Sequence, residues 1–365
     1  MADSSLLAQR WVAILGKRDS PTDGVEDYCS FLSQALFGLN IQMTLARVSW
    51  SAPGWLRALW RLWKDSATWT NSRVLMQYTA LGWSRRGFPF GALAVACILK
   101  YRCGRMAVVF HEHSRQAAPP GLLSRLRGIC QDMVTKTLYH ISDESVFLAP
   151  LDVVPWLRQS DSKACFIPIG ANIPERIGPR QPTICGAKRI ALFGITGGPA
   201  RDVEVAVIAA CIRRTIKSVA DIELIVLGRG SEEAGPLLVK AFGDSRVVVA
   251  AKGVLPAKQI ADELERADVL LFVRGPITLR RGSALAGIAC GVPIVGYHGG
   301  GVEFPLESAG IEWAKDDAES LAKCLVRVLT DRSLWSHLHD RNVRIQKEHF
   351  SWTRIAQQYW NALPR

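Results

Sequence analysis

Several features are missing from the 365-residue chain, and each absence excludes a class of protein. Its nine cysteines are odd in number and scattered, with no C-x-x-C pair. That excludes a disulfide framework or a cysteine-held zinc site and points to a reducing compartment. No G-x-x-x-x-G-K-[ST] occurs, so a P-loop NTPase is out. The nearest approach to a dinucleotide fingerprint is Gly228-Arg229-Gly230, with Glu233 where a third glycine would stand, which argues against a nicotinamide dehydrogenase. The longest apolar stretch, Phe88 to Leu99, is broken by Pro89 and Gly91 and falls short of the ~20 residues that cross a bilayer. No basic segment precedes the first apolar run, so a signal peptide is not expected. No repeat of fixed length suggests a solenoid or propeller. Acids are scarce: 33 Asp and Glu face 45 Lys and Arg, for a net charge of +12. The partner is therefore anionic, and nucleic acid, a membrane surface and a phosphorylated small molecule all qualify.

What is present reads as α/β. Nearly half the residues are hydrophobic and there are 12 Trp, enough for two packed cores. Short apolar runs (Trp11–Leu15, Ile41–Val48, Val74–Tyr78, Met106–Phe110, Ser145–Leu148 and Ala164–Ile167) alternate with amphipathic stretches such as Val25–Leu39 and Leu122–Tyr139. After Pro168 the alternation restarts, with strand-like runs at Arg189–Phe193, Ile222–Leu227, Arg246–Ala250, Val269–Val273 and Pro293–Tyr297. Buried parallel strands with crossover helices follow from such a pattern. The four prolines of Pro168–Pro182 mark a linker. We expect a first Rossmann-like domain over 1–170, a linker over 171–185 and a second Rossmann-like domain over 186–345, with parallel sheets facing a central cleft.

The segment from Arg274 to Glu303 concentrates the phosphate chemistry. A strand, DVLLFV, runs into a Gly/Pro loop bearing Arg280 and Arg281. Gly282, Ser283 and Ala284 then open a short helix of small residues. Free N–H groups at a helix start beside two guanidinium groups suit a diphosphate. A tightly packed βαβ unit with solvated arginines is the alternative.

These residues resemble the donor-binding stretch of GT-B fold glycosyltransferases of the retaining family 4 (glycosyl transferases group 1) type, through GSALAGIACGVPIVGY. Other pieces fall in that family's order. Asp23-Gly24-Val25-Glu26 resembles its glycine loop into the first helix, and Ile167-Pro168-Ile169-Gly170-Ala171-Asn172 the turn that closes its first domain. Leu227-Gly228-Arg229-Gly230 resembles a turn of its second domain, and Phe350-Ser351-Trp352 with Ile355-Ala356 its final helix. That helix, over 346–365, crosses back to the first domain in the family. The family's Glu-x7-Glu is degenerate here, since its positions hold Thr278 and Ala286. The usual diphosphate-binding Arg and Lys reduce to Arg201, after Gly194. The resemblance implies a nucleotide-sugar donor held by the second domain near Gly194, Arg201, Gly228, Arg229, Gly282, Ser283 and Ala284. Arg280 and Arg281 would take over the missing diphosphate charge, an inference from their place in the loop and not a rule of the family. Glu303 either faces the donor or caps its loop. It implies His111 and Gly24 on the sugar and acceptor side. Retaining members need no metal, and the chain has no D-x-D; His111-Glu112-His113 lacks a further ligand at helical spacing.

Most of the excess charge lies elsewhere. Between Arg57 and Lys136 the only acids are Asp65, Glu112 and Asp132. There GWLRALWRLWK places Trp55, Trp60 and Trp63 at helical spacing with Arg57, Arg61 and Lys64 between them. Such a helix either lies in a lipid headgroup layer or packs its tryptophans on its own sheet. Nucleic acid is excluded as a partner, for no zinc spacing, RNP-like run or helix-turn-helix occurs. The expectation is a cytoplasmic glycosyltransferase, peripheral on the inner face of the plasma membrane. It would move a sugar, with retention, from a nucleotide-diphosphate-sugar to a lipid-linked saccharide in polysaccharide or glycoconjugate assembly. A non-catalytic scaffold of the same fold and a nucleotide-sugar epimerase are the alternatives.

Overall fold

The computed structural model describes residues 9–19, 23–112, 121–158, 161–184, 186–243, 246–299 and 303–363. Contacts divide the chain into two compact units, Met1–Ile169 with Trp352–Arg365, and Gly170–Ser351.

The first unit runs β1 (Gln9–Leu15), α1 (Gly24–Phe37), β2 (Ile41–Arg47), α2 (Trp55–Asp65), β3 (Arg73–Tyr78), α3 (Gly91–Cys103), β4 (Met106–Phe110), α4 (Leu122–Ile141), β5 (Glu144–Phe147) and β6 (Ala164–Phe166). All pairings are parallel, in the order β2-β1-β3-β4-β5-β6. The middle strands are apolar on both faces because helices cover both. Val95, Leu99, Val134 and Leu138 of α3 and α4 pack on one face, with Ala58 and Leu62 of α2. Tyr28, Leu32 and Leu36 of α1 pack on the other, joined by Ile355 and Tyr359 of the last helix, here α11 (Trp352–Ala362). Asp23 starts α1: its extended backbone and carboxylate cap the N–H groups of Val25 and Glu26 at 3.1 and 3.2 Å.

The second unit runs β7 (Lys188–Phe193), α5 (Pro199–Thr215), β8 (Ile222–Leu227), α6 (Ser231–Phe242), β9 (Val247–Gly253), α7 (Ala257–Glu265), β10 (Val269–Phe272), α8 (Gly282–Ala289), β11 (Ile294–Tyr297), β12 (Ile311–Ala314), α9 (Ala318–Thr330) and α10 (Arg332–Ile345). Its parallel order is β12-β11-β10-β7-β8-β9. The segment read as a linker is tied into this unit. Arg176 N–H donates to the Ala289 carbonyl at 3.0 Å, its guanidinium meets Asp262, and Thr183 N–H donates to Asp268 at 2.8 Å. Prolines there set an extended path, and the backbone groups they leave find partners on the unit. Residues 346–365 are not one helix: a π-helical turn, Gln346–Phe350, precedes α11. The short apolar runs of the sequence become strands, while β12, α3, α6 and α10 add to what the pattern alone marked.

Candidate functional site

In the second unit the strand order reverses at β7, with β8 and β9 on one side and β10 to β12 on the other. Loops leaving β7 and β10 part there and open a crevice at the strands' carboxyl ends. Gly194 leaves β7 at φ +80°, and Arg274 follows β10. A Cβ on Gly194 would stand 2.8 Å from Arg274 Nη1, so the guanidinium lies directly on the glycine backbone. Arg274 Nε is buried without a hydrogen-bond partner among the described residues. Gly228 closes the β8 side: its N–H donates to the Gly253 carbonyl, and a Cβ there would meet the Phe193 ring at 2.9 Å. The carbonyl of Arg229 accepts from Ile195 N–H at 2.9 Å, which ties the two loops together.

Arg281 caps the start of α8 and Gly282 begins it. Burial, then the charges of Arg274 and Arg280, push the Arg281 guanidinium below its usual pKa, while Glu204 pulls the other way. Glu204 sits buried on α5, accepting from Thr196 N–H at 2.9 Å. Ala284 N–H turns back to the Arg281 carbonyl at 2.9 Å. The N–H groups of Gly282 and Ser283 have no acceptor among the described residues. Three cations and two oriented N–H groups thus share one patch, an arrangement suited to an anion with several oxygens.

Other residues of the expected donor set have partners of their own. Arg201 lies with Nε 3.0 Å from Asp202 and Nη1 3.0 Å from Glu233, two exposed carboxylates of the same unit. Ala284 offers no free N–H. Glu303 reaches Leu279 N–H only at 3.4 Å, as a loop cap. Gly300 and Gly301 lie outside the described residues. Arg274 and Glu204 were missed; the position of Arg274 immediately after the apolar run DVLLFV was the available signal.

The first unit has a crevice of its own where its order reverses, between β1 and β3. A pocket of about 600 Å³ opens there, lined by Gly16, Asp23, Gly24, Arg47, Gln77 and Glu112 among others. Arg47 organises the rim, donating to the Gly16 carbonyl at 2.9 Å and to Asp23 at 3.1 Å. No atom of the described residues lies within 4 Å of where a Gly24 Cβ would be.

His111 follows β4 and packs edge-on against Tyr28 at 5.3 Å. Its Nε2 lies 2.8 Å from Gln77 Oε1. Gln77 gives its amide N–H to the Leu75 carbonyl, so its oxygen accepts from His111 and the imidazole proton sits on Nε2. Burial pushes the His111 pKa down to about 4, against the pull of Asp23. It is therefore a neutral, positioned ring beside the pocket and not a proton donor at pH 7. His113 lies outside the described residues.

Helix α2 forms as its spacing suggests, but its tryptophans divide. Trp55 turns inward, stacked on Trp50 at 5.0 Å and laid over Gly91. It is a packing residue, the second of the two arrangements the sequence left open for this helix. Trp60 and Trp63 stay exposed, with Lys64 Nζ 3.9 Å from the Trp60 ring. Arg57 and Arg61 are exposed beside them. No helix among the described residues is long and apolar enough to cross a membrane.

No protein-family model matches the chain, and no curated protein matches it in sequence. Solved structures do match. A protein of Listeria monocytogenes described as a UDP-N-acetylglucosamine 2-epimerase superposes with a TM-score of 0.62 at 11% identity, over 96% of this chain and 94% of that one. HepE of Anabaena, in complex with UDP and glucose, gives 0.62 at 11% identity over 96% and 98%. WaaG, a glycosyltransferase involved in lipopolysaccharide biosynthesis, gives 0.59 at 12% identity over 95% and 98%. At such identities the likeness shows the fold: two Rossmann-like units of the GT-B kind.

Proposed function

We propose that the chain is a glycosyltransferase that moves a sugar from a nucleoside diphosphate sugar to an acceptor. The observation that carries this reading is the patch of Arg274, Arg280 and Arg281 with the free N–H groups of Gly282 and Ser283 at the β7/β10 crevice. Guanidinium forks match diphosphate oxygens, and a helix start adds oriented donors. These groups also stabilise the charge that grows on the diphosphate as the sugar leaves, and no metal is needed for that task. Fold neighbours that hold UDP with glucose, or act in lipopolysaccharide biosynthesis, support the donor class and a saccharide acceptor. The acceptor binds in the first unit's pocket, past Gly24 and His111. It is a lipid-linked saccharide in polysaccharide or glycoconjugate assembly, the sugar is transferred with retention, and α2 holds the enzyme at the cytoplasmic face of the membrane.

A thermal-shift series with UDP, GDP and ADP and their hexoses tests the reading, because a ligand of the native state raises its melting temperature. At least one should stabilise the protein, and Arg281→Ala should abolish the effect. A flat response across the series would sink the proposal. The fold shared with 2-epimerases favours a second reading, an epimerase of the same sugar nucleotides. Product analysis separates the two: a transferase releases the nucleoside diphosphate, whereas an epimerase returns an altered sugar nucleotide intact.

A further inference from the structure

Helix α4 carries apolar residues on both sides. Val134 and Leu138 pack into the core of the first unit. Leu122, Leu126, Ile129 and Met133, at i, i+4, i+7 and i+11, make a second stripe facing out, with Leu122 85% and Ile129 58% exposed. A surface helix ordinarily presents polar residues there, so this stripe has no role in the unit's own core. It does not stand alone. α3 contacts both α4 and α2, and Tyr101 on α3 stacks on Trp63 at 5.6 Å. Across it, Leu56 of α2 is 86% exposed and Trp60 58%. The three helices therefore form one face with apolar rows along both flanks.

We propose that this whole face docks on an anionic phospholipid bilayer, with α4 entering the lipid as well as α2. The inference rests on the membrane-peripheral part of the reading above and extends it from one helix to a surface. Charge decides for lipid over protein. The three helices hold eight lysines and arginines against two carboxylates, Asp65 and Asp132, and Lys100 alone of the eight is ion-paired in a salt bridge with a carboxylate outside them, Asp143, among the described residues. An excess of one sign spread over three helices matches the phosphates that anionic bilayer headgroups supply across a whole surface. The cations are also placed for it: Lys64 lies over Trp60, and the Arg102 guanidinium lies 4.7 Å from the Trp63 ring. A ring at headgroup depth with its cation beside it is the arrangement of an interfacial anchor.

Co-sedimentation of the full chain with phosphatidylcholine vesicles containing about one-third phosphatidylglycerol tests this. Binding should fall by about tenfold on pure phosphatidylcholine or in high salt. The exposed-site variant Leu126→Asp/Ile129→Asp should lose about tenfold in partitioning, and Leu56→Asp a similar amount. Both should keep the wild-type melting temperature and its response to UDP. Full binding by the α4 variant would overturn the proposal. So would a lipid-free dimer that this variant converts to monomer while vesicle binding persists, since the face would then be a protein interface. A flat response to UDP, GDP, ADP and their hexoses with vesicle binding intact would count against the glycosyltransferase reading and leave this one standing.

Discussion

Arg281 is partly buried beside the like charges of Arg274 and Arg280, with Glu204 pulling the other way. Without an anion they repel; with one, each adds a charge-assisted hydrogen bond worth about 1.5–3 kcal/mol. Arg281→Ala should therefore weaken UDP binding by roughly ten- to a hundredfold in calorimetric titration. The same change should leave urea stability of the free protein unchanged or slightly raised, as expected where strain serves a ligand. His111 makes a prediction of opposite kind. Its folded pKa of about 4 lies below the ordinary value, so above pH 6.5 neither folded nor unfolded chain is protonated there. As pH falls from 6.5 toward 4 the unfolded chain takes up a proton that the folded one refuses. Stability should drop over that window by up to ~1.4 kcal/mol per pH unit. Urea midpoints at pH 7 and pH 5 measure the drop, and His111→Gln should flatten it.

At the scale of elements, legibility followed the period of the pattern. Met106–Phe110 and Ile222–Leu227 read as strands with the bounds the structure gives, because continuous apolar runs bounded by turn residues leave little choice. α6 did not read, since Gly235-Pro236 looks like a turn. The structure keeps Gly235 because a Cβ would come 2.6 Å from the Ala251 Cβ on β9. β12 is four residues with a glutamate among them, too short for a period. The helical spacing of α2 was plain, yet which of its tryptophans pack inward was not, because its apolar side is wide and only Ala58 and Leu62 of it are fully buried. Trp50 and Gly91, distant in sequence, decide that Trp55 packs. The start of α1 is the element most exposed to a single change. Asp23→Ala removes a cap and leaves Arg47 short of a carboxylate, and should cost about 1–2 kcal/mol in chemical denaturation.

At the scale of the whole molecule, two clusters of positive charge stand out within the net +12. One lies along α2, α3 and α4, the other at the β7/β10 crevice. If the second is the donor site, UDP should slow amide exchange at the start of α8 and around Gly194 and Gly228 and leave the amides of α4 unchanged. Hydrogen-exchange mass spectrometry with and without UDP reads this directly; protection confined to the first unit would contradict it. The sequence by itself determined the α/β class, two Rossmann-like halves and the loop from Arg274 to Glu303, because periodicity, glycine and proline act locally. Only the tertiary structure decided which charges each arginine meets. Arg201 meets Asp202 and also Glu233, thirty-two residues away, while Arg274 gains its place from the reversal of strand order between β7 and β10. Ion pairing and strand order are long-range facts, and no local pattern encodes them.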